Sequence, residues 1–189
     1  WTMVGGTTYE IEGAVVGRYI AGTFPDAKIG LLYQNDDAGK DALKGLRDGL
    51  GDKAGSMIVA DKSYELTDPT LDSQIVALRA SGADILFTWA APKGAAQTIK
   101  KVAELGWKPM HVMTDVSISI GAVMKPAGLD ASEGVLSAGY LKDASDPQWK
   151  NDEGMKKFMA FAEKYLPGAN LSDANHSPGS SVGVNPRRL

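Results

Sequence analysis

Apolar residues recur along the chain with two spacings, and the two spacings alternate. Four stretches place apolar residues three and four positions apart, which predicts amphipathic helices that bury one face. Short continuous apolar runs lie between them and predict buried strands. A further helix is predicted over residues 9–21, ahead of the first strand. The helical stretches are 43–50, 71–78, 95–102 and 155–165, and the strand runs are 29–33, 56–64, 83–89, 110–115 and 134–141.

The alternation of strands and helices predicts the fold class. Linkers of about two to six residues favour an α/β fold, a doubly wound and mainly parallel sheet flanked by helices. Gly51, Gly82 and Gly106 follow three of the predicted helices, as is typical of helix ends. We therefore expect one α/β unit over residues 1–174. Residues 175–189 are rich in Gly, Ser and Pro without periodicity, and we expect a flexible tail there.

Composition narrows the classes of partner. The chain has 189 residues, 43% of them hydrophobic, which is enough for a well-buried core. The net charge is −3 and the longest basic run is a pair such as Lys100-Lys101, so no nucleic-acid partner is expected. No apolar run approaches the about 20 residues that cross a bilayer. Residue 1 is Trp, not Met, which indicates a processed or truncated chain.

The sequence carries no signal for a metal or a cofactor. There are no cysteines and only two histidines, His111 and His176, and no HExxH motif pairs them. The glycines form neither G-x-G-x-x-G nor a P-loop, so no phosphate cradle is indicated. His111 lies within an apolar strand and is expected to be a core or strand-end residue. We expect no metal site and no cofactor.

Two alternatives, a hydrolase motif and a phospho-receiver domain, are rejected because the sequence lacks the strand or residue that each requires. Residues 179–183 match G-x-S-x-G, with His176 and Asp173 nearby, but no core strand precedes Ser181 to form the required strand-to-helix turn. A phospho-receiver domain shares the predicted fold but needs an Asp at the end of the third strand. That strand ends at 88–91 in Thr-Trp-Ala-Ala. The sequence therefore predicts no enzyme.

Asp36 and Asp37 stand between the first predicted strand and the next helix. A carboxylate at this position caps free backbone N–H groups and meets the positive end of the helix dipole. Phosphorylation and metal binding are the alternatives for this acid pair. Capping is the simplest interpretation, and the pair is also expected to shape the lip of a cleft.

Polar and small residues gather where the predicted strands end. Ligands of open α/β sheets bind outside the carboxyl ends of the strands. These ends supply hydroxyls, carboxylates and one indole, but no nucleophile paired with a base. Trp89 is equally compatible with a buried core residue and with a ring that stacks on a ligand. The strand-end residues are Asn35, Asp36 and Asp37, then Thr88, Trp89 and Ala90, then Thr114, Asp115 and Ser117.

The chain also resembles a known family. The order KIGLLYQNDDAGKDALKGLRDGL, SYELTDPTLDSQIVALRASGADILFTWAAP and AAQTIKKVAELGWKP is similar to the type I periplasmic solute-binding proteins of ABC transporters. More narrowly, it resembles the branched-chain amino acid (Leu/Ile/Val) binding group. The run QIVALRASGAD, from Gln74 to Asp84, and the later GLDASEGVLSAGYLKDASDPQW carry much of this likeness. The resemblance covers roughly residues 1–174.

The resemblance implies a function and a setting. Proteins of this family have two α/β lobes joined by a three-stranded hinge, and the lobes close on a small-molecule solute that is delivered to ABC permease subunits in the membrane. This chain is expected to be the second, Rossmann-like lobe, periplasmic or extracytoplasmic and not an enzyme. The alternative is the ligand-sensing domain of a regulator or receptor. An isolated lobe is also expected to dimerise through surface that the other lobe would cover.

Family site positions carry over only in part. Ala38 and Ala91 fall where the amino acid binders have aromatic residues, and Asp115 or Val116 falls at the acid that holds the ligand's ammonium group. Smaller residues imply a wider pocket, so we expect an amino acid or aromatic acid bulkier than leucine. The expected ligand-binding set is Asp37, Ala38, Trp89, Ala90, Ala91, Asp115, Val116 and Ser117.

Overall fold

A five-stranded parallel sheet forms the centre of the molecule. The computed structural model describes residues 7–139, 142, 144 and 146–169. All four strand pairings are parallel, in the order β2-β1-β3-β4-β5. This order confirms the predicted α/β class. The strands are β1 (Ile29–Gln34), β2 (Ile58–Tyr64), β3 (Ile85–Trp89), β4 (Met110–Met113) and β5 (Leu136–Ser137).

Helices follow or precede each strand, as expected for crossover connections between parallel strands. Short 3₁₀ turns and one π-helical turn, Ile120–Met124, join some of them. Among the described residues, no helix is long and apolar enough to span a membrane. The helices are α1 (Tyr9–Thr23), α2 (Asp37–Leu50), α3 (Ala54–Met57), α4 (Asp72–Ala80), α5 (Pro92–Glu104), α6 (Lys125–Ala127) and α7 (Glu153–Tyr165).

The sheet buries a core on each face, because successive side chains of a strand point to opposite sides. Leu31 and Leu32 are both fully buried, yet they belong to different cores. α1 and α2 cover the first face and α4, α5 and α6 cover the second. The first core contains Val16, Ile20, Ile29, Leu43, Leu46, Phe87 and Val112, and the second contains Ile75, Leu78, Leu86, Ile99, Met113 and Val123.

Glycines bring α1 and α2 into backbone contact. A Cβ atom on Gly13 would lie 2.3 Å from the carbonyl oxygen of Ala42, and one on Gly45 would lie 2.0 Å from that of Glu10. Gly17 and Gly49 repeat this pattern one turn further along both helices. Only residues without a side chain allow two helix backbones to approach so closely. The glycines therefore fix how deeply α1 sits against α2.

Most predicted elements are present, but several boundaries differ. The strand predicted over 56–64 begins at Ile58, because residues 54–57 complete a helical turn. The strand predicted over 134–141 is only the two-residue β5, and residues 140 and 141 lie outside the described residues. The turn at 120–127 was not predicted. The predicted tail, 175–189, and its G-x-S-x-G run also lie outside the described residues.

Predicted helix ends are confirmed by the backbone. Gly51, Gly82 and Gly106 each have a positive φ, between 59° and 75°, directly after a helix or one residue beyond it. Asp36 precedes α2 in an extended conformation, and its Oδ1 accepts a hydrogen bond from the Gly39 N–H at 2.8 Å. The capping role predicted for this residue is confirmed.

We predict that Gly45→Ala destabilises the protein by roughly 1–3 kcal/mol, because the new methyl group must push α1 away from α2. Gly22→Ala is the matched control in α1, where a Cβ atom meets no neighbour within 4 Å. That change is expected to stabilise the helix by up to about 1 kcal/mol. Urea unfolding measures both free energies. Equal effects of the two substitutions would contradict the close packing.

Candidate functional site

The carboxyl ends of three neighbouring strands meet at one edge of the sheet. β3 pairs with β1 on one side and with β4 on the other, so the segments that follow these strands lie side by side. We call residues 34–38, 89–91 and 114–117 the strand-end rim. All eight predicted ligand-binding residues lie in it. They are Asp37, Ala38, Trp89, Ala90, Ala91, Asp115, Val116 and Ser117.

Tyr64 ties two segments of the rim together from the end of β2. Its hydroxyl donates to Gln34 Oε1 at 3.1 Å and accepts from the Ala91 N–H at 3.2 Å. Gln34 Nε2 in turn donates to Asp36 Oδ2 at 2.5 Å. Burial raises the pKa of Tyr64 to about 12, so the hydroxyl keeps its proton at neutral pH. This network holds the ends of β1 and β3 in register.

Ser117 makes a second tie, between the ends of β3 and β4. Its hydroxyl donates to the Ala90 carbonyl at 2.7 Å and accepts from the Ala90 N–H at 3.3 Å. Thr114 Oγ1 lies 3.3 Å from Ser117 Oγ. Both hydroxyl residues are fully buried. Ser117 therefore has a structural task, which is to satisfy backbone groups that the short β4 leaves unpaired.

Trp89 is buried at the rim against α1. Its side chain is part of the first core, with 5% of the residue exposed, and its ring meets Tyr9 edge to face at 5.3 Å between centroids. The indole Nε1 is buried and has no hydrogen-bond partner among the described residues. The residue thus contributes to the core and also brings an unused donor to the strand ends.

Asp115 joins the rim to α1. Its backbone N–H donates to Glu12 Oε1 at 2.7 Å, and its own Oδ1 is buried without a partner in the described part of the chain. Glu12 is 4% exposed. Burial, and then the negative charge of Asp115, raise the pKa of Glu12 to about 8. An acidic pair therefore lies at the end of β4, and the unpartnered indole N–H of Trp89 lies at the end of the neighbouring strand, β3.

Sequence reasoning missed Glu12, Gln34 and Tyr64. Glu12 did carry a signal, since it shares a helical stripe with the buried Val16 and Ile20, and a carboxylate on an apolar stripe needs a partner. Tyr64 and Gln34 gave no such signal. They end strands that become neighbours only in the folded sheet.

His111 lies on the opposite face of the sheet from α1. Its Nε2 is 3.0 Å from Thr88 Oγ1, and burial lowers the pKa of the imidazole to about 4. The prediction of a core position is confirmed. Among the residues that the structure describes, no three His, Cys, Asp or Glu side chains are grouped to hold a metal ion.

An open groove lies away from the rim. It has a volume of about 1100 Å³ and runs along α7, between Lys150, Met159 and Leu166. It draws no residue from the ends of β1, β3 or β4. The groove and the buried polar groups therefore lie on different parts of the surface. We place the candidate site at the rim, where the polar groups converge.

Comparisons with known proteins agree with the fold and the predicted family. A sequence profile described as "Periplasmic binding protein" matches residues 1–179. The Leu/Ile/Val-binding protein homolog 8 of Brucella abortus is 25% identical over 145 residues, which are 74% of this chain and 34% of that protein. The chain thus spans about a third of the length of that relative.

Solved structures share the architecture. A branched chain amino acid ABC transporter protein from Thermus thermophilus with bound valine has a TM-score of 0.75 at 19% identity, over 91% of this chain and 43% of its own. A solute binding protein from R. palustris in complex with 4-hydroxybenzoate has a TM-score of 0.73 at 18% identity, over 89% and 44%. A fatty acid ABC transporter substrate-binding protein from Thermomonospora curvata has a TM-score of 0.75 at 21% identity, over 96% and 46%.

The profile match extends through every element of the described sheet and through all residues of the rim. The parallel order of five strands is the one expected for a lobe of such a protein. The chain belongs to the periplasmic binding protein family, in the type I group that includes the Leu/Ile/Val-binding proteins.

Proposed function

We propose that residues 1–174 form the second lobe of an extracytoplasmic, two-lobe solute-binding protein of an ABC importer. The strand-end rim forms one wall of the interlobe cleft, and a small carboxylate-bearing solute binds against it before delivery to the permease. One observation carries this proposal: the segments after β1, β3 and β4 lie side by side at the edge where open α/β sheets bind ligands, and Asp37, Ala38, Ala91, Asp115 and Val116 keep accessible surface there. Residues 175–189 are assigned no part in binding.

Each predicted site residue has a proposed task. Ala91 leaves room beside the main chain at the end of β3, and Ala38 leaves space at the start of α2. Asp115 supplies an acceptor, and Asp37 and Val116 form the surrounding wall. Trp89, Ala90 and Ser117 are buried and support the rim from behind.

Binding without catalysis fits the placement of the reactive groups. Thr88 and His111 are within hydrogen-bond distance, but both are buried, with Thr88 fully enclosed. No substrate reaches that hydroxyl without opening the sheet. The Ser117 hydroxyl is occupied by the Ala90 backbone. The chemistry of the rim is therefore that of recognition.

The solute class is drawn from the small residues at the rim and from the neighbours' ligands. Valine and 4-hydroxybenzoate are bound by two structural neighbours, and a third carries the name of a fatty acid transporter. All three kinds of molecule carry a carboxylate. Alanines at positions 38 and 91 favour the bulkier acids over leucine, because they leave room beside the strand ends.

We predict that the protein containing this lobe binds an aromatic acid such as 4-hydroxybenzoate more tightly than leucine or valine. A thermal-shift screen against amino acids, aromatic acids and fatty acids checks this. A solute at a hundred times its Kd adds about 2.7 kcal/mol of stability to the folded state. Preferential binding of leucine would contradict the proposed solute class.

Ala38→Tyr tests the position of the site. The larger side chain is expected to weaken aromatic-acid binding about tenfold, roughly 1.4 kcal/mol, because it fills the space beside the rim. Ala103→Tyr, on the exposed side of α5, is the matched control and should leave the affinity unchanged. Isothermal titration calorimetry measures both. Equal losses in the two variants would place the solute elsewhere.

For the predicted pairing of two isolated lobes we propose one surface, on α1 and β5. Ile11, Val15 and Tyr19 of α1 are about half exposed, and Leu136 of the edge strand β5 lies across an apolar groove of about 340 Å³. We predict that this chain alone dimerises through that surface and that Val15→Lys makes it monomeric. Val76→Lys is the control, since Val76 is 47% exposed on α4 and Val15 is 50% exposed. Sedimentation velocity decides; a monomer at every concentration would refute the prediction.

A further inference from the structure

Two carboxyl groups meet between α1 and the end of β4. The Glu12 carboxylate reaches the turn at residues 115–117 and accepts the Asp115 N–H at 2.7 Å. The negative charge of Asp115 also acts on Glu12 and raises the pKa of its carboxyl group. Glu12 is almost completely buried. The two acids are therefore neighbours at the end of β4.

A shared proton explains the unpartnered atom of Asp115. Two ionised carboxylates have no hydrogen to donate, and in that state Asp115 Oδ1 is buried without a donor. A proton on Glu12 removes one charge from the pair and supplies the missing donor at the same time. Close acid pairs hold a proton in this way because two buried negative charges repel each other.

We propose that Glu12 is a positioning residue of the solute site, which shares one proton with Asp115 and thereby fixes the 115–117 turn and leaves the acid pair a single negative charge. Its meaning for solute binding rests on the function proposed above. The shared proton itself is a property of the folded chain and does not depend on which solute binds. The two ideas can therefore fail separately.

Other charged groups around Glu12 are already engaged. On α1, Glu10 pairs with Lys44 of α2, which also contacts Asp48 at 2.8 Å. On β4, His111 faces Thr88 on the other side of the sheet. These contacts leave Asp115 as the one charged side chain in the described part of the chain that acts on Glu12.

Tyr9, on the same helix, places its ring against Trp89 of β3. β5 contributes Leu136 and Ser137, neither of which carries a charge. In the described residues, then, no cation from α1, α2 or the sheet neutralises the acid pair. A proton serves that purpose.

The consequence is a pH dependence of defined sign. Glu12 ionises near 4.5 in an unfolded chain, and burial and Asp115 raise its pKa to about 8 in the fold. The folded state therefore holds a proton that the unfolded state lacks in this interval. The stabilisation from the pair is complete below about pH 4.5 and is lost as the pH rises through about 8.

The affinity for the solute should depend on whether the Glu12–Asp115 pair holds this proton. Below about pH 8 a carboxylate-bearing solute meets one negative charge at the pair, and above it the solute meets two. Repulsion between like charges then weakens binding. The affinity for an acid such as 4-hydroxybenzoate is therefore expected to fall at alkaline pH.

The substitution Glu12→Gln removes the titrating proton and keeps the size and hydrogen bonds of the side chain. The glutamine oxygen still accepts the Asp115 N–H, and its NH₂ group replaces the shared proton permanently. Melting temperatures between pH 5 and 9 are compared for the wild type, Glu12→Gln and the control Glu10→Gln, an acid of the same helix turn that is 46% exposed. The wild type and the control should lose stability towards pH 8, and Glu12→Gln should lose this dependence.

Carbon-13 NMR of the glutamate carboxyl groups gives a second readout on the unaltered protein. Glu12 should titrate near pH 8. A midpoint near the ordinary value of 4.5, or an unchanged pH slope in Glu12→Gln, would overturn the proposal. A pH dependence of stability that Glu12→Gln abolishes and Glu10→Gln keeps supports the shared proton, whether or not a solute binds. Absence of solute binding together with that pH dependence would refute only the proposed function. Solute binding without the slope would refute the shared proton alone.

Discussion

The backbone contact between α1 and α2 is the constraint on which the site depends. Gly13 and Gly45 leave no side chain between the two helices, and each lies so close to a carbonyl oxygen of the other helix that a Cβ atom would not fit. α2 is itself fixed by β1 and by the Asp36 cap. The sheet therefore fixes the position of α2, and α2 fixes the position of α1. The first turns of α1 then bring Tyr9 onto Trp89 and Glu12 onto Asp115. Helix packing and site geometry are parts of one arrangement.

The strand-end rim is held rigid by buried hydrogen bonds. Tyr64 and Ser117 satisfy the backbone around Ala90 and Ala91, which holds the ends of three strands in place. Beside them, Trp89 packs into the first core and Asp115 lies against Glu12. A surface that is ordered during folding loses little further conformational freedom when a ligand binds to it. This rigidity supports the proposed role of the rim as one wall of a solute cleft.

Sequence patterns predicted the parallel sheet, most of its helices and the edge at which the strand-end rim lies. They succeeded because apolar periodicity and helix caps, such as Asp36, are local. The short β5 and the turns at 120–127 were missed, since packing sets their ends. The strand ends alone were enough to predict the rim, but not the hydrogen bonds that hold it together. Tyr64 reaches Ala91 from a strand two positions away in the sheet, and Glu12 reaches Asp115 across 103 residues of sequence. Contacts of that range depend on the assembled fold.

The most direct measurement is a map of the solute's position on the lobe. Backbone amide NMR spectra of the protein are recorded while 4-hydroxybenzoate, and separately valine, is added. Saturable shifts are expected at Ala91 and Asp115, with the amides of α7 unchanged. Saturable shifts confined to the groove around Lys150 and Met159, with the rim unaffected, would contradict it.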